Sequence, residues 1–178
     1  MVSTRPLVLF AGILLAAVSR LIPHPPNVTP IAAMALFGGA YFSHRAAAFL
    51  VPLAAMVLSD LFLGFYHTTP FVYGSFALIV VIGYGLRRRK TLFTVGIAAL
   101  ASSVLFFLMT NFGVWAIGTL YPKTWAGLVT AYLWALPFFR NTVLGDLAYV
   151  AVLFGGFALL ERALPTLRER HRLGKPIQ

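Results

Sequence analysis

The chain has 178 residues, of which 60% are apolar and only 10% charged, and its mean hydropathy is +0.89. Because a water-soluble domain has about 25% charged residues, this composition argues against a soluble enzyme and predicts an integral membrane protein. The net charge of +10 does not indicate a nucleic-acid partner, because most of the 14 cations fall in one loop and in the tail.

Six apolar stretches, separated by prolines and short polar groups, predict six transmembrane helices. A span takes about 20 residues, so these stretches use almost the whole chain, and we predict an all-α bundle in one transmembrane domain, residues 1–161. In chain order, the predicted helices are residues 6–22, 30–42, 46–66, 71–86, 91–110 and 143–160. We interpret the first as a helix and not as a cleaved signal peptide, because its removal would leave an odd number of spans.

The first interhelical loop is rich in proline. Three prolines within residues 23–26 remove backbone donors and fix φ, so a helix cannot continue through them. Thr29 followed by Pro30 is typical of a helix start, with proline at the first helical position. The second helix then reaches only about 20 Å, less than the roughly 30 Å hydrocarbon core, so we expect it to be little tilted or packed inside the bundle.

Residues 111–141 differ from the rest of the chain, because they contain all three tryptophans, Trp115, Trp125 and Trp134, together with Pro137. We predict a re-entrant or interfacial segment here, between the fifth and sixth helices. Two interpretations of the tryptophans stay open: the rings belong to the aromatic belt at the headgroup level, or they form a lid that stacks on a flat ligand.

The basic residues predict the orientation. If residues 87–90 and the tail, residues 162–178, both face the cytoplasm, an even number of spans separates them, and the fifth and sixth helices provide two. Both termini are then cytoplasmic, and we expect a multi-pass protein of the bacterial inner membrane whose basic loops contact membrane lipids. Arg20 and Arg140 break this rule, because both fall near the outer ends of their helices.

Asp60 and Asp146 are the only acids within the predicted spans, where a charged side chain costs about 2.5–3.5 kcal/mol at the midplane. Both should face the bundle interior, and we expect them to pair with Arg20 and Arg140, which lie toward the same outer half. These four residues would form either the polar floor of a ligand pocket open to the outside or an ion-pair network that only holds helices together.

The other candidate groups are polar or aromatic residues near the outer face. His24 and His67 lie in predicted outer loops, where each either binds a ligand or is solvated. Two histidines without a nearby acid or cysteine make a poor metal site, so we expect neither a metal nor a cofactor. No nucleophile, base or phosphate loop forms a recognisable catalytic set, so we expect no enzyme. The candidate ligand-binding residues are Arg20, His24, Asn27, Asp60, His67, Asn111, Trp115, Arg140, Asn141 and Asp146.

Small residues at four-residue spacing let helices approach closely in lipid. Gly12 and Ala16 form such a pair on the first helix. We expect this face either to pack within the bundle or to contact a partner subunit.

Three segments carry a resemblance to known membrane proteins. They are Asn27-Val28-Thr29-Pro30-Ile31-Ala32-Ala33, Leu36-Phe37-Gly38-Gly39-Ala40-Tyr41-Phe42 and residues 52–60. Together with six short helices and a proline-rich first outer loop, they resemble the substrate-binding S components of energy-coupling factor vitamin transporters. Residues 20–41 and 59–64 are also similar to an uncharacterised family of small bacterial membrane proteins.

The resemblance implies a high-affinity binder of a vitamin or a related small molecule, which works with a transmembrane coupling subunit and two ATPases. It implies that three outer loops cover the ligand, here residues 23–29, 67–69 and 111–141. It also implies a coupling contact through small residues of the first helix, where the family has two alanines four apart and this chain has Gly12 and Ala16.

Two other functions stay open at this point. One is a structural or assembly subunit of a membrane complex, in which the polar groups serve only to clamp helices. The other is a small membrane enzyme with Asp60 or Asp146 as its base, although neither acid has an evident nucleophile beside it in the sequence.

Overall fold

The computed structural model describes residues 4–168, and these residues form helices and no strands, which confirms the predicted all-α class. The helices are α1 (Thr4–Ser19), α2 (Ile31–Tyr41), α3 (Arg45–Leu63), α4 (Thr69–Gly85), α5 (Leu92–Ile117) and α6 (Trp125–Ala163). α6 contains a π-helical turn at Ala151–Gly155, and a 3-10 turn follows it at Pro165–Leu167. Most of the predicted basic tail, residues 169–178, lies outside the described residues.

Three of the helices, α3, α5 and α6, are long and apolar enough to cross a membrane, and the other three are apolar but shorter. The outward faces of the helices carry many exposed leucine, valine and phenylalanine side chains. Leu92, for example, is 94% exposed and Phe62 is 79% exposed. An apolar surface of this extent is unfavourable in water and is covered by lipid, so the chain is a helical membrane protein.

The short helix α2 lies at the centre of the bundle, which is the second of the two arrangements predicted from its length. All 11 of its residues are buried. Its Phe37 ring meets the rings of Phe154 and Phe157 on α6 edge to face, at centroid distances of 5.3 and 5.7 Å. Because a helix that is apolar on every side is stable only when other helices surround it, α2 forms the core on which the bundle is built.

Backbone contact joins α2 to α4. A Cβ atom added at Gly39 would lie 2.2 Å from the carbonyl oxygen of Val80, and one added at Gly83 would lie 2.5 Å from that of Leu36. Two glycines that face each other in this way let the helix axes approach more closely than any larger residue permits.

Because the helices alternate in direction, most cations of the described residues lie at one end of the bundle, which we call the basic end. They are Arg5, Arg45, Arg87, Arg88, Arg89, Lys90, Arg162 and Arg168. The exceptions are Arg20, Lys123 and Arg140, which lie nearer the opposite end. Contacts tie the basic end together. Arg5 Nη1 lies 2.5 Å from Oε1 of Glu161, and Arg87 donates to the carbonyl oxygens of Gly39 and Phe42.

The structure departs most from the sequence prediction in residues 111–141. Instead of a re-entrant or interfacial segment, α5 and α6 both extend into it, and only residues 118–124 are non-helical. The three tryptophans therefore do not form a loop that closes over a ligand. Trp115 lies on α5, and Trp125 and Trp134 lie on α6.

Specific hydrogen bonds explain how so short a turn joins α5 to α6. Lys123 donates to the carbonyl oxygens of Trp115 and Gly118, which the end of α5 leaves without helical partners. The hydroxyl of Thr124 accepts from the backbone N–H of Gly127 at 3.1 Å and so caps the start of α6.

Two further helix ends differ from the prediction. α1 ends at Ser19, before the predicted residue 22, because the N–H of Arg20 bonds to the carbonyl of Ala17, three residues back. α3 ends at Leu63, where the prediction continued to residue 66, because Gly64 follows with a φ of 90°, a conformation that favours glycine.

Candidate functional site

The opposite end of the bundle holds the loops 20–30, 64–68 and 118–124, and there the predicted ion pair forms. Arg20 follows α1, and Asp60 lies in the last turn of α3. Nη2 of Arg20 lies 2.7 Å from Oδ1 of Asp60, and the two side chains are only 10% and 9% exposed. Because both charges are removed from solvent, each depends on the other and on further hydrogen bonds for compensation.

Neighbouring side chains provide those hydrogen bonds. The hydroxyl of Tyr73, on α4, donates to Oδ2 of Asp60 at 2.7 Å, and Nη1 of Arg20 donates to the hydroxyl of Ser59. Nε of Arg20 is buried and makes no hydrogen bond within the described residues. We call Arg20, Ser59, Asp60 and Tyr73 the Arg20–Asp60 cluster. It joins the end of α1 to α3 and α4.

The sequence interpretation missed two members of this cluster, Ser59 and Tyr73. The position of Tyr73 relative to the α3–α4 loop could have identified it. In two antiparallel helices joined by a short loop, a residue near the end of the first lies level with a residue near the start of the second. Asp60 is three residues before the end of α3, and Tyr73 is four residues after the start of α4.

The second predicted ion pair, between Asp146 and Arg140, is wrong. Asp146 is buried at 4% exposure, and its Oδ2 accepts from the hydroxyl of Ser103 on α5 at 2.6 Å. Arg140 is exposed and forms no ion pair with any residue that the structure describes. The reason is that α6 is continuous through both residues. A separation of six residues places their side chains about 120° apart around the helix, on different faces.

The first loop contacts α6 through a predicted site residue. The amide of Asn141 donates to the carbonyl of Pro26 at 3.1 Å, and so fastens the loop to α6. In the same loop, His24 and Asn27 are exposed, and Asn27 has a φ of 63°. Asparagine tolerates this left-handed conformation better than most residues, so a structural role is sufficient to explain Asn27.

The candidates on α5 bond locally. The amide of Asn111 donates to the Phe107 carbonyl of its own helix, at 2.8 Å. Nε1 of Trp115 donates to the carbonyl of Pro122 at 3.0 Å, which helps to close the α5–α6 turn. Neither bond reaches the Arg20–Asp60 cluster. His67 is exposed and lines a shallow surface depression of about 600 Å³ between the α3–α4 loop and the end of α5.

A deeper groove runs between α1 and α6, and we call it the Gly12 groove. Its volume is about 310 Å³, and its walls include both predicted partner-contact residues, Gly12 and Ala16, together with Leu153 and Gly156 of α6. A Cβ atom added at Gly12 would fit without a clash, at an ordinary van der Waals distance of 3.8 Å from Leu153. Among the described residues, no group of three or more potential metal ligands occurs.

The fold and this site define a class: a helical membrane protein with a buried ionic cluster at one end of its bundle and basic residues at the other. Within that class, the chain belongs to a family described as a family of unknown function, DUF6580, whose family profile matches residues 2–167. Neither a curated protein nor a solved structure matches the chain. The family membership agrees with the similarity to uncharacterised small membrane proteins and adds no function to it.

Proposed function

We propose that this protein is the membrane-embedded substrate-binding subunit of a transporter that takes up a vitamin or a related small molecule. It binds and does not catalyse. The supporting observation is the Arg20–Asp60 cluster, in which polar side chains from three helical elements meet at one end of the bundle and Nε of Arg20 keeps an unused donor. An ionisable group within a membrane bundle is costly, and such groups commonly mark substrate or ion pathways.

The proposal includes an orientation. The basic end faces the cytoplasm, because positively charged loops are retained there, and the Arg20–Asp60 cluster then lies near the outer face of a bacterial inner membrane. Both termini are cytoplasmic in this arrangement. A ligand carrying a carboxylate or a carbonyl would reach the cluster from outside and accept a hydrogen bond from the guanidinium of Arg20.

The proposal also includes a partner. Uptake requires energy, and a transmembrane coupling subunit with ATPase subunits would supply it, as the resemblance to S components implies. The Gly12 groove is the contact that we propose for the coupling subunit, because Gly12 and Ala16 border open apolar space where a helix of that subunit can approach closely.

The test is co-purification of a ligand. The full chain is purified in detergent, and small molecules that it retains are identified by mass spectrometry and compared between the wild type and Tyr73→Phe. The variant removes one hydroxyl that holds Asp60, and we expect its ligand occupancy to fall by about tenfold. The matched control is Tyr84→Phe, which removes a hydroxyl from the same helix at the basic end, where it donates to the Arg45 carbonyl. This control should retain the ligand.

A wild-type protein that retains no small molecule, or a ligand lost equally from the Tyr73→Phe and Tyr84→Phe variants, would contradict a binding site at the cluster. A second function is then favoured: a structural or assembly subunit of a membrane complex. The observation in its favour is that Arg20 and Asp60 are nine-tenths buried and already bonded to each other. In that case Tyr73→Phe would lower the stability of the protein without any effect on a ligand.

A further inference from the structure

A second groove opens at the basic end, between the start of α5 and the last third of α6, with a volume of about 450 Å³. We call it the basic-end groove. The residues of its lining on which the argument depends are Lys90, Gly96, Leu147, Ala151, Gly155 and Arg162. It contains neither the Arg20–Asp60 cluster nor Gly12 and Ala16, so the proposed function does not use it.

Glycines keep this groove open on both walls. A Cβ atom added at Gly96, on α5, or at Gly155, on α6, would meet no atom within 4 Å. The contrast with Gly39, where a Cβ would meet backbone at 2.2 Å, shows that these glycines do not serve close helix packing. Gly155 also ends the π-helical turn of α6, and such turns occur frequently at functional sites.

Charge and apolar surface are separated along the groove. Its cations, Lys90 and Arg162, lie next to the ends of α5 and α6, and the exposed apolar residues of its lining on α6, such as Leu147 and Ala151, lie further along that helix toward the membrane interior. This arrangement matches a phospholipid of negative charge, whose phosphate meets the cations while an acyl chain fills the apolar part. Basic pockets between transmembrane helices bind such headgroups.

We propose that the basic-end groove binds one anionic phospholipid. Free phosphate would use only the cations and would leave the apolar walls uncovered. A zwitterionic lipid would fill the walls but would gain less from the two positive charges, because its own headgroup carries a cation. Of these three ligands, only an anionic phospholipid complements both parts of the groove.

The test is a lipid titration of the full chain in detergent, followed by native mass spectrometry, with dioleoyl phosphatidylglycerol and dioleoyl phosphatidylcholine as the two probes. We expect the wild type to bind phosphatidylglycerol at least about tenfold more tightly, since each cation near an anionic headgroup is worth about a fivefold change in affinity. Gly96→Leu fills the groove and should abolish this preference. Gly85→Leu is its control, because a Cβ at Gly85 also meets open space but lies outside the groove.

The charge is tested separately. Arg162→Gln should weaken phosphatidylglycerol binding about fivefold, whereas Arg88→Gln, which removes an exposed cation of the same end outside the groove, should leave it unchanged. Equal binding of the two lipids by the wild type, or equal effects of the two arginine variants, would overturn the proposal. Loss of bound lipid on addition of inorganic phosphate at matched concentration would overturn it too. If Gly96→Leu does not fold, the comparison of the arginine variants decides.

Discussion

The cost of burying charge in lipid made Asp60 and Asp146 the most informative residues of the sequence. That cost predicts that each acid has a partner, and each has one: Arg20 for Asp60 and Ser103 for Asp146. The identity of the partner was predictable only for Asp60, where the stranded cation Arg20 lay at a matching depth. For Asp146 the partner is a neutral serine, and α5 contains two adjacent serines that composition does not distinguish.

The first prediction concerns the Arg20–Asp60 pair. Arg20→Met should lower the free energy of unfolding by about 3 kcal/mol, because Asp60 then stays buried without its cation. Adding Asp60→Leu should restore most of the loss, since no uncompensated charge remains. Thermal unfolding in detergent measures both. Arg140→Met is the control, because Arg140 is exposed, and it should change stability by less than about 0.5 kcal/mol. Equal losses for Arg20→Met and Arg140→Met would contradict a buried pair.

The second prediction separates two adjacent serines of α5. Ser103→Ala should cost about 1 kcal/mol, because it removes the hydroxyl that donates to Asp146. Ser102→Ala should be nearly neutral, because the hydroxyl of Ser102 bonds only to the Ala98 carbonyl of its own helix. Both serines are fully buried, so the comparison holds burial constant. Unfolding of the two variants under identical conditions measures the difference. A loss for Ser103→Ala no greater than that for Ser102→Ala would contradict a stabilising bond from Ser103 to Asp146.

At the scale of elements, hydropathy located the six helices and proline located the first loop, while residues 111–141 were interpreted as irregular. The prediction failed there because tryptophan and proline were weighed by their usual positions in membrane proteins. Three features of the sequence account for the helices that form there instead. Prolines such as Pro137 are tolerated inside membrane helices, Lys123 can cap the end of α5, and Thr124 can cap the start of α6. Each is a single local feature, and hydropathy averaged over a stretch of sequence does not detect it.

The third prediction tests the contact between α2 and α4. Gly39→Ala should lower the free energy of unfolding by about 2 kcal/mol or more, because its methyl group would meet the Val80 carbonyl at 2.2 Å and push the two helices apart. Gly85→Ala is the matched control on α4, because its methyl group meets open space and alanine favours a helix more than glycine does. That control should be neutral or stabilising. A tolerated Gly39→Ala would mean that the helices are not in backbone contact.

At the scale of the whole molecule, the sequence predicts at which end of the bundle the charged residues lie. It does not predict where grooves remain between the helices. The separation of Arg20 and Asp60 from the basic residues follows from helix alternation, which counting spans provides. The grooves beside Gly12 and Gly96 depend on how three or four helices pack against one another, and a glycine in sequence does not reveal whether its neighbour fills the gap. The 39 residues of α6 form a helix about 58 Å long. Because this length exceeds the roughly 30 Å hydrocarbon core, α6 extends beyond that core.

The last prediction is the orientation of the molecule. The chain contains no cysteine, so a single introduced cysteine reports its own position without interference. Arg89→Cys at the basic end and His67→Cys at the opposite end both replace exposed residues. In intact cells, a membrane-impermeant thiol reagent should label His67→Cys, and should label Arg89→Cys only after the cells are opened. The reason is that a cluster of arginine and lysine residues is retained in the cytoplasm during insertion. Among the described residues, the other side has only Lys123, Arg140 and the ion-paired Arg20, which give less opposing bias. Labelling of Arg89→Cys in intact cells would show that the bundle has the opposite orientation. The Arg20–Asp60 cluster would then lie on the cytoplasmic side, and a ligand could not reach it from outside. A wild-type sample treated in parallel should remain unlabelled in both conditions.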